Sequence, residues 1–372
     1  MNRREAISKV AVGIAGTAVV AGALGYLAGT VAGRGPEQRQ VITIDRTLTR
    51  TLTQEITRTV TPTVTPVDLR WGLVEGARSA VPMFLIYEDR TNIATRNGLN
   101  VADYQVLRGA EGLKALIEKR IDVLGPEPIM QFLSVISQAP DVLRIVHFSD
   151  VGMQVSVALR PDSPYSSLED MRAAVKAGRR IVLGGSTAGS LSHSYAILLA
   201  RILGTRIGEG VQVVFLGDLT AITAAMERGE VEGFAWVSSV HWRLEEQRRA
   251  KVVFYFKDYG GGTLWHERVL VTREDVIRER PETIARFIRF YRDLIRVYET
   301  ERDYVISLMT SPAPKGYGFS RGIADKWYTL YRPNYVGAPI IEALQSAREM
   351  AIDSGVTRET PPIDRWYTTS FL

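Results

Sequence analysis

RIVLGGSTAGSLSHSYAILLARIL, residues 180–203, carries a strand, a tight loop and a helix in immediate succession. Arg180–Leu183 is short, aliphatic and β-branched, which suits a buried strand. Gly184-Gly185-Ser186-Thr187-Ala188-Gly189-Ser190 is a run of small turn formers. Leu191, Tyr195, Leu198, Leu199 and Ile202 then recur at helical spacing. Downstream, Val211–Leu216 reads as a strand, Leu219–Arg228 as a helix and Glu232–Trp236 as a strand. This is βαβ alternation, and it predicts a mostly parallel sheet covered by helices.

Working upstream, the same order recurs from residue 69. Leu69–Val74 is a strand and 75–80 a small-residue loop. Val81–Arg90 is a helix with Pro82 in its first turn. Val101–Leu107 is a strand, Glu111–Arg120 a helix, and Ile121–Gly125 a strand that stops at Pro126. Ile129, Phe132, Leu133 and Ile136 line the next helix. The two halves echo each other. The charged turn Glu118-Lys119-Arg120-Ile121-Asp122 matches Glu227-Arg228-Gly229-Glu230-Val231-Glu232, each running into a short strand. After Trp265 the chain is mainly helical, and Ile284, Phe287, Ile288, Tyr291, Leu294, Ile295 and Tyr298 mark one long amphipathic helix. Its Arg286, Arg289, Arg292 and Arg296 form a solvated face.

The N-terminus has a different character. Arg3, Arg4 and Lys9 precede 24 residues, 10–33, that carry no charge. A cationic start before an apolar run is the layout of a secretory signal or a membrane anchor. Both remain open for residues 1–34, and the paired arginines resemble a twin-arginine signal. Residues 43–66 hold ten threonines and end on Pro62 and Pro66, so 35–67 reads as an extended stalk. The 372 residues suffice for two lobes beyond the stalk. The net charge of +5 owes part of its excess to the N-terminus, and no basic run interleaves with aromatics. Nucleic acid is therefore not an expected partner. The absence of cysteine excludes disulfides, thiolate metal sites and a thiol nucleophile.

Several stretches resemble one family in their order and spacing. They are Trp71-Gly72-Leu73-Val74-Glu75-Gly76, Gly98-Leu99-Asn100-Val101, Arg120-Ile121-Asp122-Val123, Asp162-Ser163-Pro164-Tyr165 with Ser167-Leu168-Glu169-Asp170-Met171, the GGSTAGS loop and Gly229–Gly233. Over residues 68 to about 300 the chain resembles the nitrate/sulfonate/taurine-type substrate-binding proteins of ABC importers, a group with thiamine-pyrimidine relatives. The resemblance implies an α/β, two-lobed type II periplasmic-binding-protein fold, its lobes joined by crossing strands near Val151–Ala158 and Leu264–Val271. Lobe one would be 68–152 plus 266–372, and lobe two 153–265. The resemblance also implies a small anionic solute of sulfonate, taurine or nitrate type, caught in the interlobe cleft by hinge closure. The expected partners are a permease with its ATPase, and the membrane through the N-terminus. We expect an extracytoplasmic monomer that is not an enzyme and needs no cofactor or metal. The alternative is a thiamine-pyrimidine binding or synthesis protein of the same fold. The segment after Pro312 departs from the family pattern.

Open α/β sheets hold ligands beyond the carboxyl ends of their strands. That rule selects loops 75–80, 125–127, 185–190 and 236–239. The candidate ligand-binding residues are Glu75, Arg78, Ser79, Gly125, Pro126, Glu127, Ser186, Thr187, Gly189, Ser190, Trp236 and Ser238. The 185–190 loop starts a helix, whose amides favour an anion, although its hydroxyls could equally be caps. Arg78 suits an acid group. Glu75 and Glu127 suit an ammonium or ring amine. Trp236 and Trp265 could stack on a ligand or pack. Two catalytic motifs fail in the same loop. Ser190 stands where a P-loop needs Lys, and Ala188 stands where a nucleophile elbow needs Gly. A hydrolase would need Ser186 near His241 and Asp218.

Overall fold

The strand β1 (Val67–Val74) is anchored by one ring. Trp71 is fully buried and meets Phe84, Tyr87, Tyr104, Phe287 and Phe290, with centroids 5.2–5.7 Å away. Tilted and edge-on ring pairs each add about 0.5–1.5 kcal/mol beyond area burial. The computed structural model describes residues 65–74, 81–107, 111–152, 154–259, 266–331, 339–353 and 355–371. Residues 64–372 form one compact unit. The signal or anchor expected over 1–34, and the stalk expected over 35–67 up to residue 64, lie outside the described residues.

After β1 come α1 (Met83–Asp89), α2 (Asn92–Arg96), β2 (Leu99–Leu107), α3 (Glu111–Ile117), β3 (Val123–Pro128), α4 (Ile129–Ile136) and β4 (Leu143–Val151). A second series follows: β5 (Val155–Leu159), α5 (Leu168–Lys176), β6 (Ile181–Gly185), α6 (Leu191–Ile202), β7 (Val211–Phe215), α7 (Leu219–Glu227), β8 (Gly233–Val237), α8 (Ser238–Glu246) and β9 (Lys251–Tyr255). The chain then runs through β10 (His266–Arg273), α9 (Glu274–Glu279), α10 (Pro281–Thr300), α11 (Arg302–Thr310), α12 (Arg321–Leu330) and α13 (Ile341–Asp353).

Two five-stranded sheets result, in the orders β2-β1-β3-β10-β4 and β7-β6-β8-β5-β9. β1 runs parallel to β2 and β3, as β6 does to β7 and β8. Each sheet also takes one antiparallel strand next to its edge, β10 in the first and β5 in the second. The two orders are one pattern used twice, in keeping with the echo between the charged turns. The chain leaves the first sheet after Val151, enters the second at Val155, and returns between Tyr255 and His266.

One strand runs further than its sequence suggests. β3 does not stop at Pro126 but continues to Pro128. The Gly125–Pro126 peptide is cis. β10 stays paired with Glu127 and Pro128 across a register shift between Val269 and Val271. A proline has no N–H for the ladder, and an irregularity gives it a place where none is needed. Gly125 has φ +136°, and a Cβ there would meet the Val269 carbonyl oxygen at 2.6 Å.

The segment after Pro312 joins both sheets' helices. Trp327 of α12 is fully buried, 6.1 Å from the Trp242 ring of α8. Lys326 Nζ sits 3.9 Å over that same ring. On its other side α12 stacks Tyr328 on Tyr298 of α10, at 4.6 Å. The chain end returns to β4, where the Ile145 N–H donates to Trp366 O at 2.8 Å and the Thr368 N–H to Ile145 O at 3.0 Å. This pairing covers an edge that would otherwise be open to other chains.

Candidate functional site

Nine of the twelve candidate residues sit at the carboxyl ends of β3, β6 and β8. Glu75, Arg78 and Ser79, with Trp265, lie outside the described residues. Gly189, in the loop beyond β6, faces α4, the helix that follows β3. A Cβ on it would lie 3.5 Å from Ser134 Oγ of α4. Beyond that point α4 packs on α6. The space left between Ile129 and Met130 on one side and Leu191 and Leu198 on the other is ≈ 10 Å³, about enough for one water.

The 185–190 loop spends its polar groups on itself. The Ser186 N–H donates to Ser192 Oγ at 2.9 Å, and the Thr187 N–H to Ser190 Oγ at 3.4 Å. The Gly189 N–H donates to His193 Nδ1 at 2.9 Å. Burial pulls His193 down, which suits a neutral accepting ring. Ser190 is the N-cap of α6 and accepts from the His193 N–H. Thr187 is exposed and Ser186 half-buried, while Gly189 and Ser190 are buried.

At the β8 tip, Trp236 is buried beside Phe234, at 6.4 Å. Buried Ser238 donates through Oγ to Gln154 O at 3.1 Å. At the β3 tip, Glu127 is fully buried, and neither carboxylate oxygen has a hydrogen-bond partner among the described residues. Burial alone holds its carboxyl well above the usual range.

The two crossings between sheets are stitched by a buried charge cluster. Arg268 Nη1 donates to Asp150 Oδ2 at 2.7 Å, and Tyr331 OH donates to the same oxygen at 3.2 Å. The Gln154 N–H donates to Glu267 Oε2 at 3.1 Å. Arg268 Nη2 lies 2.8 Å from Glu267 Oε1 but off line, so that contact is ionic and not a hydrogen bond. Burial pushes the Glu267 carboxyl up, against the pull of Arg268. Two acids thus share one guanidinium at the point where the chain passes between sheets.

The serine-hydrolase set is not assembled. His241 Nδ1 is 2.8 Å from Ser156 Oγ, inside the second sheet's core, and both residues are fully buried. Asp218 is the N-cap of α7, accepting from the Ala221 N–H at 2.9 Å. Ser186 Oγ lies 3.3 Å from Ser192 Oγ.

Space for a small molecule lies in a groove of ≈ 410 Å³, and none of the nine described candidate residues lines it. Leu85 of α1 and Val106 of β2 wall it from the first sheet's side. Leu219 of α7 with Val240 and Arg243 of α8 wall it from the second, and residues 313–319 close it. Its volume falls in the ordinary range for small-molecule sites.

No protein-family model matches the chain, and no curated protein matches it. Solved structures do. The alkanesulfonate-binding protein SsuA from Xanthomonas axonopodis pv. citri, bound to MOPS, gives a TM-score of 0.64. The match covers 80% of this chain and 95% of that one, at 15% identity. The periplasmic nitrate-binding protein NrtA from Synechocystis PCC 6803 gives 0.55, covering 70% of each chain at 10% identity. The chain has the periplasmic-binding-protein fold. A cysteine-to-serine variant of DSZB in complex with biphenyl-2-sulfinic acid also shares it, with a TM-score of 0.55 over 82% of this chain and 98% of that one, at 14% identity.

Within this periplasmic-binding-protein fold, the strand-tip rule reaches β3, β6 and β8 but misses the groove. Leu219 opens α7, and Val240 and Arg243 lie on the first two turns of α8, beyond the tips themselves. The 313–319 wall arrives from about 70 residues further along the chain. The nearest signal in sequence is the Ala313-Pro314 and Gly316 turn chemistry beside Tyr317 and Phe319.

Proposed function

We propose that this chain is the extracytoplasmic solute-binding component of an ABC importer. Its lobes, 68–152 with 266–372 and 153–265, close on a small anionic organic solute of sulfonate, taurine or nitrate type. The closed form then delivers that solute to a membrane permease driven by an ATPase. The observation that carries this reading is the ≈ 410 Å³ groove walled from both sheets. The sulfonate- and nitrate-binding neighbours support it. The candidate residues at the β3, β6 and β8 tips, with Glu75, Arg78 and Ser79, remain the proposed rim of the cleft. The N-terminal 34 residues would deliver the chain across the membrane or hold it there, with 35–67 as spacer and the folded part monomeric.

A binder fits the chain better than a catalyst. Ser186, His241 and Asp218 are engaged apart from one another, and there is no cysteine to supply a thiol. Those features also weigh against pyrimidine synthesis. A thermal-shift screen of sulfonates, nitrate, amino acids and thiamine precursors tests the reading. One hit at a hundred times its Kd stabilises the protein by about 2.7 kcal/mol, and mass spectrometry recovers it unchanged. A panel that never raises the melting temperature, or a hit that is consumed, overturns it.

A further inference from the structure

We infer that the groove takes an organic anion with an apolar body, and that Arg243 holds its acid group beside a wall formed by residues 313–319. This rests on the solute-binding reading and narrows it.

Among the described residues, Arg243 is the one charged side chain lining the groove. It is half-buried on α8, and among the described residues it forms no ion pair. Its Nη1 donates to Tyr317 O at 3.4 Å, a long bond that leaves most of the guanidinium donors unused. Its two nearest acids along the chain, and the acid that precedes the lining residue Leu219, are occupied elsewhere. Glu245 accepts from the Val252 N–H at 3.1 Å, Glu246 accepts from Ser320 Oγ at 2.7 Å, and Asp218 caps α7. A guanidinium kept from carboxylates at the edge of a concave surface is a fork for an incoming carboxylate, sulfonate or sulfinate.

The rest of the lining sets the other half of the ligand. Leu85, Val106, Leu219, Val240, Pro314 and Phe319 are all apolar. Val106 is 43% exposed, a cost that an apolar occupant would relieve. A bare, strongly hydrated ion such as nitrate would reach Arg243 but leave these walls wet. A zwitterion would place its ammonium against hydrocarbon, and among the described residues no lining side chain carries a carboxylate to receive it. The groove therefore selects one acid group at Arg243 and hydrocarbon or an aromatic ring against the walls.

Calorimetry on the full chain tests this with 1-hexanesulfonate, naphthalene-2-sulfonate and decanoate, against nitrate, taurine and neutral 2-naphthylmethanol. At least one apolar anion is expected to bind more tightly than nitrate and taurine. Arg243→Gln should weaken that anion ten-fold or more, Arg243→Lys should restore part of the loss, and 2-naphthylmethanol should be insensitive to both changes. The melting temperatures of the unliganded variants check that they fold. Binding of nitrate or taurine with no apolar anion bound overturns this inference and leaves the solute-binding reading standing. So does an apolar anion whose affinity Arg243→Gln leaves unchanged. If nothing in the panel binds, both fall.

Discussion

Glu127 and His241 are ionisable side chains held in their neutral forms, and they respond to pH in opposite directions. The folded chain holds the Glu127 proton more tightly than the unfolded chain does. Its contribution is therefore complete below the ordinary carboxylate value and is lost as pH rises above about 4.5. Glu127→Gln keeps the shape of the neutral acid. The variant should match wild type at pH 4.5 and exceed it in urea-measured stability at pH 8. His241 has the reverse sign, since burial pulls it down to about 3. The unfolded chain takes up that proton first, so stability falls as pH drops from about 6.5 towards 3, by ~1.4 kcal/mol per pH unit at most. His241→Asn should flatten the slope between pH 6.5 and 5 while lowering stability overall. A slope that does not change would mean the ring titrates freely. In sequence, Glu127 was legible as a strand-tip acid. His241 was legible only as a hydrolase partner for Ser186, because its actual partner Ser156 lies 85 residues away on β5.

Elements were the most legible level, because each one announces itself over a few adjacent residues. Ser190 ahead of Leu191, and Asp218 ahead of Leu219, are helix starts that the structure keeps as caps. Ser190→Ala should cost about 1 kcal/mol in denaturant unfolding, and it should cost no solute affinity if capping is its whole task. Gly233 opens β8 with a Cβ position that runs into the Ala158 carbonyl of β5. Gly233→Ala should therefore leave little folded protein, as circular dichroism would register. What the sequence reading missed is of another kind. β3 passes through Pro126 because β10 shifts register to admit it, and no property of residues 121–128 alone predicts a shift in a strand 140 residues downstream. Arg243 was invisible for a like reason. On α8 it occupies an ordinary last-turn position for a cation, and only the fold sets it opposite Leu85, Val106 and Phe319.

At the scale of the whole molecule, Ser134 and Gly189 offer a direct handle on lobe movement. The Ser134 Cβ lies 3.6 Å from where a Gly189 Cβ would stand, within disulfide range, and the chain has no other cysteine to interfere. Gly189 has φ +75°, so a cysteine there strains the loop without blocking the bridge. The oxidised Ser134→Cys, Gly189→Cys variant should exchange its solute at least ten-fold more slowly in stopped-flow displacement, and dithiothreitol should restore the rate. Unchanged exchange would mean that the α4–α6 contact does not part when a solute comes and goes. Another tie between the two sheets' helices is α12, with Trp327 on α8 and Tyr328 on α10. In the solute receptor proposed above, two crossings alone would let the halves gape like a mussel. A further strap with aromatic rings against helices of both sheets would hold the shells closer, and slim cargo presented end-on would then enter more readily than bulky cargo.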